Sequence, residues 1–260
     1  MKLAVVGLGK MGSSILEGVL DAGLLAPEEV GVLDASPELT AERAARFGVR
    51  PLDEGALAEA ERVLIAVKPQ DFPDLAPRIA HANTGYLSIM AGVSTRVLAE
   101  RLGNRRVVRA MPNLAATIKR STTVLTALPE ARAAGDLDFA ERLFATVGTV
   151  YHLAESLFDA FTAMSASAPA YLALVAEALA DGGVKMGIPR DKAIRFAAEV
   201  LVATGLLLER KHPAALKDEV ASPGGTTIFG LSAIEARGFR AALIEAVEAA
   251  TRRGKELGEG

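Results

Sequence analysis

The 260-residue chain is half hydrophobic and 23% charged, with a formal net charge of −3 and no cysteine. That length accommodates one large or two ordinary domains around a substantial core, and the lack of cysteine excludes disulfides, thiolate metal sites and cysteine nucleophiles. Without a basic block, a membrane-length apolar run or a signal-peptide pattern, the expectation is a cytoplasmic protein that binds neither nucleic acid nor membrane.

In chain order, residues 2–6 (KLAVV) form a short β-branched run suited to a buried strand, followed by GLGKMG and a helix-period segment at 13–20. A second strand, 30–33, ends at Asp34. Strand-like runs recur at 62–67, 86–90 and 106–110, separated by helix-like stretches at 37–47, 56–61, 71–80 and 95–102. Residues 122–127 and 148–152 read as two edge strands around a helix at 137–145. Apolar runs alternating with helices predict a mostly parallel sheet covered on both faces, an α/β Rossmann-type domain over residues 1–152. Ligands of such sheets bind at the carboxyl ends of the strands.

GLGKMG stands where a dinucleotide phosphate loop belongs, with Gly7, Leu8, Gly9, Lys10, Met11 and Gly12 as cofactor-binding candidates. The first glycine permits a tight turn, the second lets the pyrophosphate reach the backbone, and the third lets helix and strand pack closely. The helix N-terminus adds free N–H groups and a positive dipole end. Asp34 is placed to accept from the ribose hydroxyls of NADH, while Ser36 suits either NADH or NADPH or simply caps the next helix. At other strand ends, Ala66, Val67, Lys68 and Pro69, then Ala91 and Gly92, then Met111, Pro112 and Asn113, face the same edge and extend the candidate cofactor contacts. His81, His152 and His212 fall outside every motif and read as surface or packing residues.

After His152 the pattern is helical throughout. Leu157, Phe161 and Met164 share one face, residues 193–208 are apolar nearly all around, and helices are expected at 213–219, 232–236 and 238–256. SASAPAY (165–171) breaks the apolar pattern with small residues and Pro169, and predicts a bend. An all-α domain over 153–260 with such apolar helices is expected to share its core with a second copy, as a homodimer; the alternative is a monomer burying those faces against its first domain. ASPGGTTIFG (221–230) is an oversized connection between helices, rich in backbone donors and hydroxyls.

GLGKMG, VKPQ, RAMPN, SASAPAY, ADGGVKMGIPRDKA and ASPGGTT occur in this order along nearly the whole chain. Together they resemble the pyrroline-5-carboxylate reductase family, with SPGGTT in an all-helical second domain as the most specific element. The resemblance implies reduction of the ring C=N of 1-pyrroline-5-carboxylate by NADPH or NADH to give L-proline, the last step of proline biosynthesis. It implies dimers intertwined through the helical domain and, in many members, decamers of five dimers. Carried over by position, Ser222, Gly224, Gly225, Thr226 and Thr227 match the loop that grips the substrate carboxylate. Thr227 matches the threonine that reaches the ring nitrogen, and Lys68 joins it as a catalytic candidate. Ala166 and Ala168 replace the family's usual glycines, and Asp34 departs from the polar or basic end associated with NADP. Competing readings are a β-hydroxyacid dehydrogenase or another imine reductase, and a non-catalytic dinucleotide-binding protein. The dehydrogenase pairing of a lysine with an asparagine on a helix fails at Lys185, because four residues on stands Pro189. No metal site is expected.

Overall fold

The computed structural model describes residues 1–259, with side chains through 256; Gly260, the last residue of the expected second domain, lies outside them. The strands are β1 (Leu3–Val6), β2 (Val30–Leu33), β3 (Arg50–Pro51), β4 (Arg62–Ile65), β5 (Gly85–Ser88), β6 (Val107–Met111), β7 (Ser121–Ala127) and β8 (Gly148–His152). The helices are α1 (Lys10–Asp21), α2 (Pro37–Phe47), α3 (Phe72–Ile79), α4 (Thr95–Leu102), α5 (Pro129–Ala133), α6 (Asp136–Ala145), α7 (Phe158–Phe161), α8 (Ala168–Lys185), α9 (Arg190–Leu208), α10 (Pro213–Val220), α11 (Thr226–Glu235) and α12 (Phe239–Glu259). By compactness the chain divides into two units, Met1–Ala166 with Ala250–Gly260, and Ser167–Ala249.

The first unit holds one eight-stranded sheet in the order β3-β2-β1-β4-β5-β6-β7-β8. Its inner strands β1, β2, β4, β5 and β6 are short, mainly apolar runs largely buried on both faces, so successive residues feed two different cores. Leu3, Val5, Val30, Val32, Leu64 and Leu87 pack with Ile15, Leu16 and Val19 of α1 and with Leu143 and Phe144 of α6. Ala4, Val6, Val63, Ile65 and Tyr86 pack with Phe72 and Ile79 of α3 and with Leu98 and Leu102 of α4. Ser36 and Ser94 start α2 and α4 as N-caps, accepting from the Leu39 and Val97 N–H groups at 3.1 and 3.2 Å.

Three departures from the sequence expectation have simple causes. β7 is an interior strand, antiparallel to β6, and only β8 of the expected edge pair lies at the edge. The connection 112–120 is too short for a parallel crossover, which takes about a dozen residues. β3 and α5 escape a periodicity reading because two and five residues hold too few repeats. The bend expected at Pro169 falls earlier, as a π-helical segment over Thr162–Ala166. Pro169 instead sits in the first turn of α8, where its missing N–H has no acceptor to lose.

Residues 153–166 pack with the first unit through Phe158 and Phe161, which join Met111 and Val124. In the second unit α8 and α9 meet through a strip of small residues, Ala180, Ala193 and Ala197, with Ala176 and Val184 beside them. Large apolar side chains are left on the surface, with Met186 82% and Phe229 72% exposed and Phe196, Val202 and Ile244 more than half exposed. The run Glu155–Lys185 is long and apolar enough to cross a membrane by length and composition alone, although no uninterrupted apolar stretch of that length occurs in the sequence.

At the amino edge of the sheet a buried carboxylate ties β4 to the start of β6. Asp136 is 0% exposed and opens α6. It accepts from Arg62 Nε at 2.9 Å, from Arg106 Nε at 2.9 Å and from Arg106 Nη2 at 2.8 Å. That hydrogen bonding raises the Arg106 guanidinium above its ordinary value. Arg62 also stacks over the Phe139 ring at 4.5 Å. Removing one member of a buried pair leaves uncompensated charge and costs about 3–5 kcal/mol. Asp136→Asn is therefore expected to lower the Tm by roughly 6 °C or more, read by circular dichroism; an unchanged Tm would show that water hydrates the two guanidinium groups well enough without the carboxylate.

Candidate active site

The strand β1 ends at Val6 and the chain turns at once into α1. Gly7 makes this turn with φ +97°, and a Cβ there would stand 2.7 Å from the Ala66 carbonyl. A Cβ at Gly12 would lie 2.0 Å from the Gly7 oxygen, so α1 can rest on the loop only without a side chain at that position. Gly9, the N-cap of α1, has nothing within 4 Å of where a side chain would begin. The three glycines therefore act differently: one turns, one packs, and one leaves open space in front of a helix N-terminus.

That space belongs to a cavity of about 530 Å³ along the carboxyl edge of β1, β2 and β4. Its walls include Gly7, Gly9, Asp34, Ala66, Val67 and Lys68 from the sequence candidates. Asp71, Asp74, Leu75 and Arg78 line it as well, with Glu54 and Ala35; sequence reading missed these, because only their side-chain direction brings them to the cavity. Asp34 is fixed there, its two oxygens accepting from the Leu8 N–H at 2.7 Å and the Ser36 N–H at 3.2 Å. The Leu8 side chain itself is core. The Ser36 hydroxyl caps α2 and also meets Glu38 at 2.8 Å. Gly9, the α1 N-terminus and Asp34 suit the pyrophosphate and ribose of a dinucleotide: open backbone donors for the anion, an acceptor for hydroxyls.

The other candidates at strand ends lie beyond this cavity. Ala91 and Gly92 form the turn after β5, with Gly92 at φ +74°. The Met111 and Pro112 side chains are buried, Met111 against Phe158 and Phe161, so Asn113 carries the polar function of that segment. Asn113 Nδ2 donates to Ser165 Oγ at 3.1 Å, within the π-helical segment. Behind these segments lies a junction the sequence did not reveal. Glu155 accepts from the Thr95 N–H at 2.7 Å, from Thr95 Oγ1 at 2.6 Å and from Arg109 Nη1 at 3.2 Å. Residues 46 and 60 positions apart meet here, and no local pattern announces such a contact. Glu155 thereby ties the N-terminus of α4, just after Gly92, to β6, the strand that leads to Asn113.

In the second unit, the loop before α11 is a tight turn. The Gly225 N–H donates to the Ser222 carbonyl at 3.0 Å, with Pro223 and Gly224 between them and Gly224 at φ +68°. This is the pattern of a type II turn, which favours Pro then Gly at its two central positions. Gly225 is the N-cap of α11, so the helix begins at Thr226 rather than at 232, and Thr226 and Thr227 form its first turn. Their N–H groups stand among the donors that a helix start leaves unpaired. None of the three histidines lines the cavity; the His212 ring accepts from the Ala214 N–H, and His152 lies 3.4 Å from Glu141.

Two family models match the chain. One, described as NADP oxidoreductase, coenzyme F420-dependent, covers residues 2–92; the other, described as pyrroline-5-carboxylate reductase dimerisation, covers 155–257. The pyrroline-5-carboxylate reductase of Thermus thermophilus is 70% identical over 259 residues, covering 100% of this chain and 99% of its own. That of Methanosarcina acetivorans is 38% identical, covering 99% and 98%. The Plasmodium falciparum pyrroline carboxylate reductase, solved with NADP bound, superposes with a TM-score of 0.88 at 25% identity and covers 99% of this chain and 98% of its own. The Coxiella burnetii enzyme gives 0.88 at 29%, covering 98% of each. With identity of this extent along its entire length, the chain belongs to the pyrroline-5-carboxylate reductase family.

Proposed function

We propose that this protein reduces the C=N bond of 1-pyrroline-5-carboxylate with NAD(P)H to give L-proline, the final step of proline biosynthesis. The observation that carries the reading is the presence, in a chain 70% identical to a curated reductase, of two glycine-shaped loops that each feed a helix N-terminus. The reaction joins two anions, a dinucleotide and a small carboxylate, and each loop suits one. Residues 1–152 are read as the cofactor domain and 153–260 as the substrate-binding and dimerisation domain.

NAD(P)H, when bound, supplies the hydride. Gly9 and the first N–H groups of α1 hold its pyrophosphate, and Asp34 meets the adenosine ribose. The strand ends at Ala66–Pro69, Ala91–Gly92 and Met111–Asn113 contribute the remaining contacts. The Gly225 N–H is engaged with Ser222, so the substrate carboxylate is held by the Thr226 and Thr227 N–H groups, with the turn keeping them in place. The Thr227 hydroxyl orients the ring nitrogen. Reduction of a protonated imine removes a positive charge, so the site needs positioning more than a strong base. This accords with a cavity free of histidine, and leaves Thr227 and Lys68 as the catalytic candidates.

The exposed apolar faces of α8, α9 and α11 suit a homodimer, with a decamer of five dimers as the larger assembly, and a cytoplasmic location. Sedimentation equilibrium is expected to show a species of at least twice the chain mass; a monomer at micromolar concentration would remove the dimer.

The function is tested by following NAD(P)H oxidation with 1-pyrroline-5-carboxylate and the formation of proline in equal amount; no oxidation with either cofactor would end the reading. Thr227→Ala is expected to lower kcat/KM about 10- to 100-fold, the worth of a hydrogen bond to a charged group at roughly 1.5–3 kcal/mol. Its Kd for NAD(P)H should stay within about twofold of wild type, and full catalytic efficiency would exclude the role. At Gly225 a Cβ would stand 2.3 Å from Ser222 Oγ, so Gly225→Val is expected to raise the substrate KM strongly; an unchanged KM would place the carboxylate elsewhere.

A further inference from the structure

Charge at the adenosine end of the cavity distinguishes the two nicotinamide cofactors. They differ only by a 2′-phosphate on that ribose, which carries close to two negative charges where the other cofactor has a hydroxyl. Asp34 is held at this end by three backbone ties. Its oxygens accept from Leu8 and Ser36, and its own N–H donates to Thr40 Oγ1 at 2.9 Å, with Thr40 buried. The carboxylate therefore cannot swing aside for a phosphate without giving up two hydrogen bonds, one of them inside the glycine loop.

The surrounding wall offers little compensation. The cavity contains four carboxylates, Asp34, Glu54, Asp71 and Asp74, against two cations, Lys68 and Arg78. Arg78 is already paired with Glu54. The residue after Asp34, where a guanidinium would meet a 2′-phosphate, is Ala35. A ribose hydroxyl can donate to a fixed carboxylate, whereas a phosphate can only be repelled by it.

We infer that Asp34 sets the cofactor specificity of this protein and selects NADH over NADPH. This runs against the NADP named in the description of the matching family model and in the Plasmodium falciparum structure. It rests on the reductase reading only in that a dinucleotide occupies this cavity.

Nicotinamide fluorescence titrations with NADH and NADPH, in the absence of substrate, test it on the full-length protein. Wild type is expected to bind NADH at least tenfold more tightly than NADPH. Asp34→Asn keeps the shape and an acceptor for the Leu8 N–H but removes the charge, and should reduce that ratio at least fivefold. Ala35→Arg leaves Asp34 intact, adds a cation beside it and should narrow the ratio as well. Equal or tighter binding of NADPH by wild type overturns the inference whatever the variants do, and so does an unchanged ratio in Asp34→Asn. Selective NADH binding without turnover of 1-pyrroline-5-carboxylate would leave the inference standing and end the reductase reading.

Discussion

The oxygen of Gly7 lies 2.0 Å from where a side chain on residue 12 would begin, and the path of the chain from β1 into α1 depends on that close approach. Any Cβ there would force α1 off the sheet, and with it Ile15, Leu16 and Val19, which fill one of the two cores. The same approach fixes where the first N–H groups of α1 point. It also sets the loop that supplies the Leu8 N–H to Asp34, so the cofactor end of the second strand is tied to the first through a single turn. Packing and binding are thus set by one contact, which explains why the cavity opens at this strand end.

Charge is distributed between the two edges of the sheet in different ways. At the amino edge, Asp136 is buried and accepts from two arginines, an arrangement turned inward on the fold. At the carboxyl edge, four carboxylates, a lysine and an arginine line an open cavity. Between these extremes stands Arg109, buried in β6 with one nitrogen on Glu155 and its guanidinium 4.7 Å over the Phe158 ring. Its Nε and Nη2 have no hydrogen-bond partner among the described residues. The ring face substitutes in part for the missing acceptors, since a cation over an aromatic face is attracted by the ring quadrupole.

The helical unit rests on a different balance. Its internal contact is a strip of alanines, which brings α8 and α9 close but buries little area per residue. The large side chains point outward instead. Monomeric proteins rarely leave contiguous apolar patches of this kind uncovered, and the match to a dimerisation model over 155–257 agrees with a surface made to be shared.

What was legible in the sequence follows from local chemistry. GLGKMG before a helix, Asp34 at a strand end, Ser36 before Pro37, and Pro223-Gly224 in a turn each state their backbone conformation through steric limits or short-range hydrogen bonds, and these need no distant partner. The buried strands were legible because β-branched runs between turn signals have few other uses. The antiparallel placement of β7, the engagement of the Gly225 N–H with Ser222, the acidic wall supplied by Glu54, Asp71 and Asp74, and the junction of Glu155 with Thr95 and Arg109 were decided only in the tertiary structure. Most of these depend on side-chain direction or on contacts across dozens of residues, where the free energy comes from charge pairing and burial that no local pattern encodes.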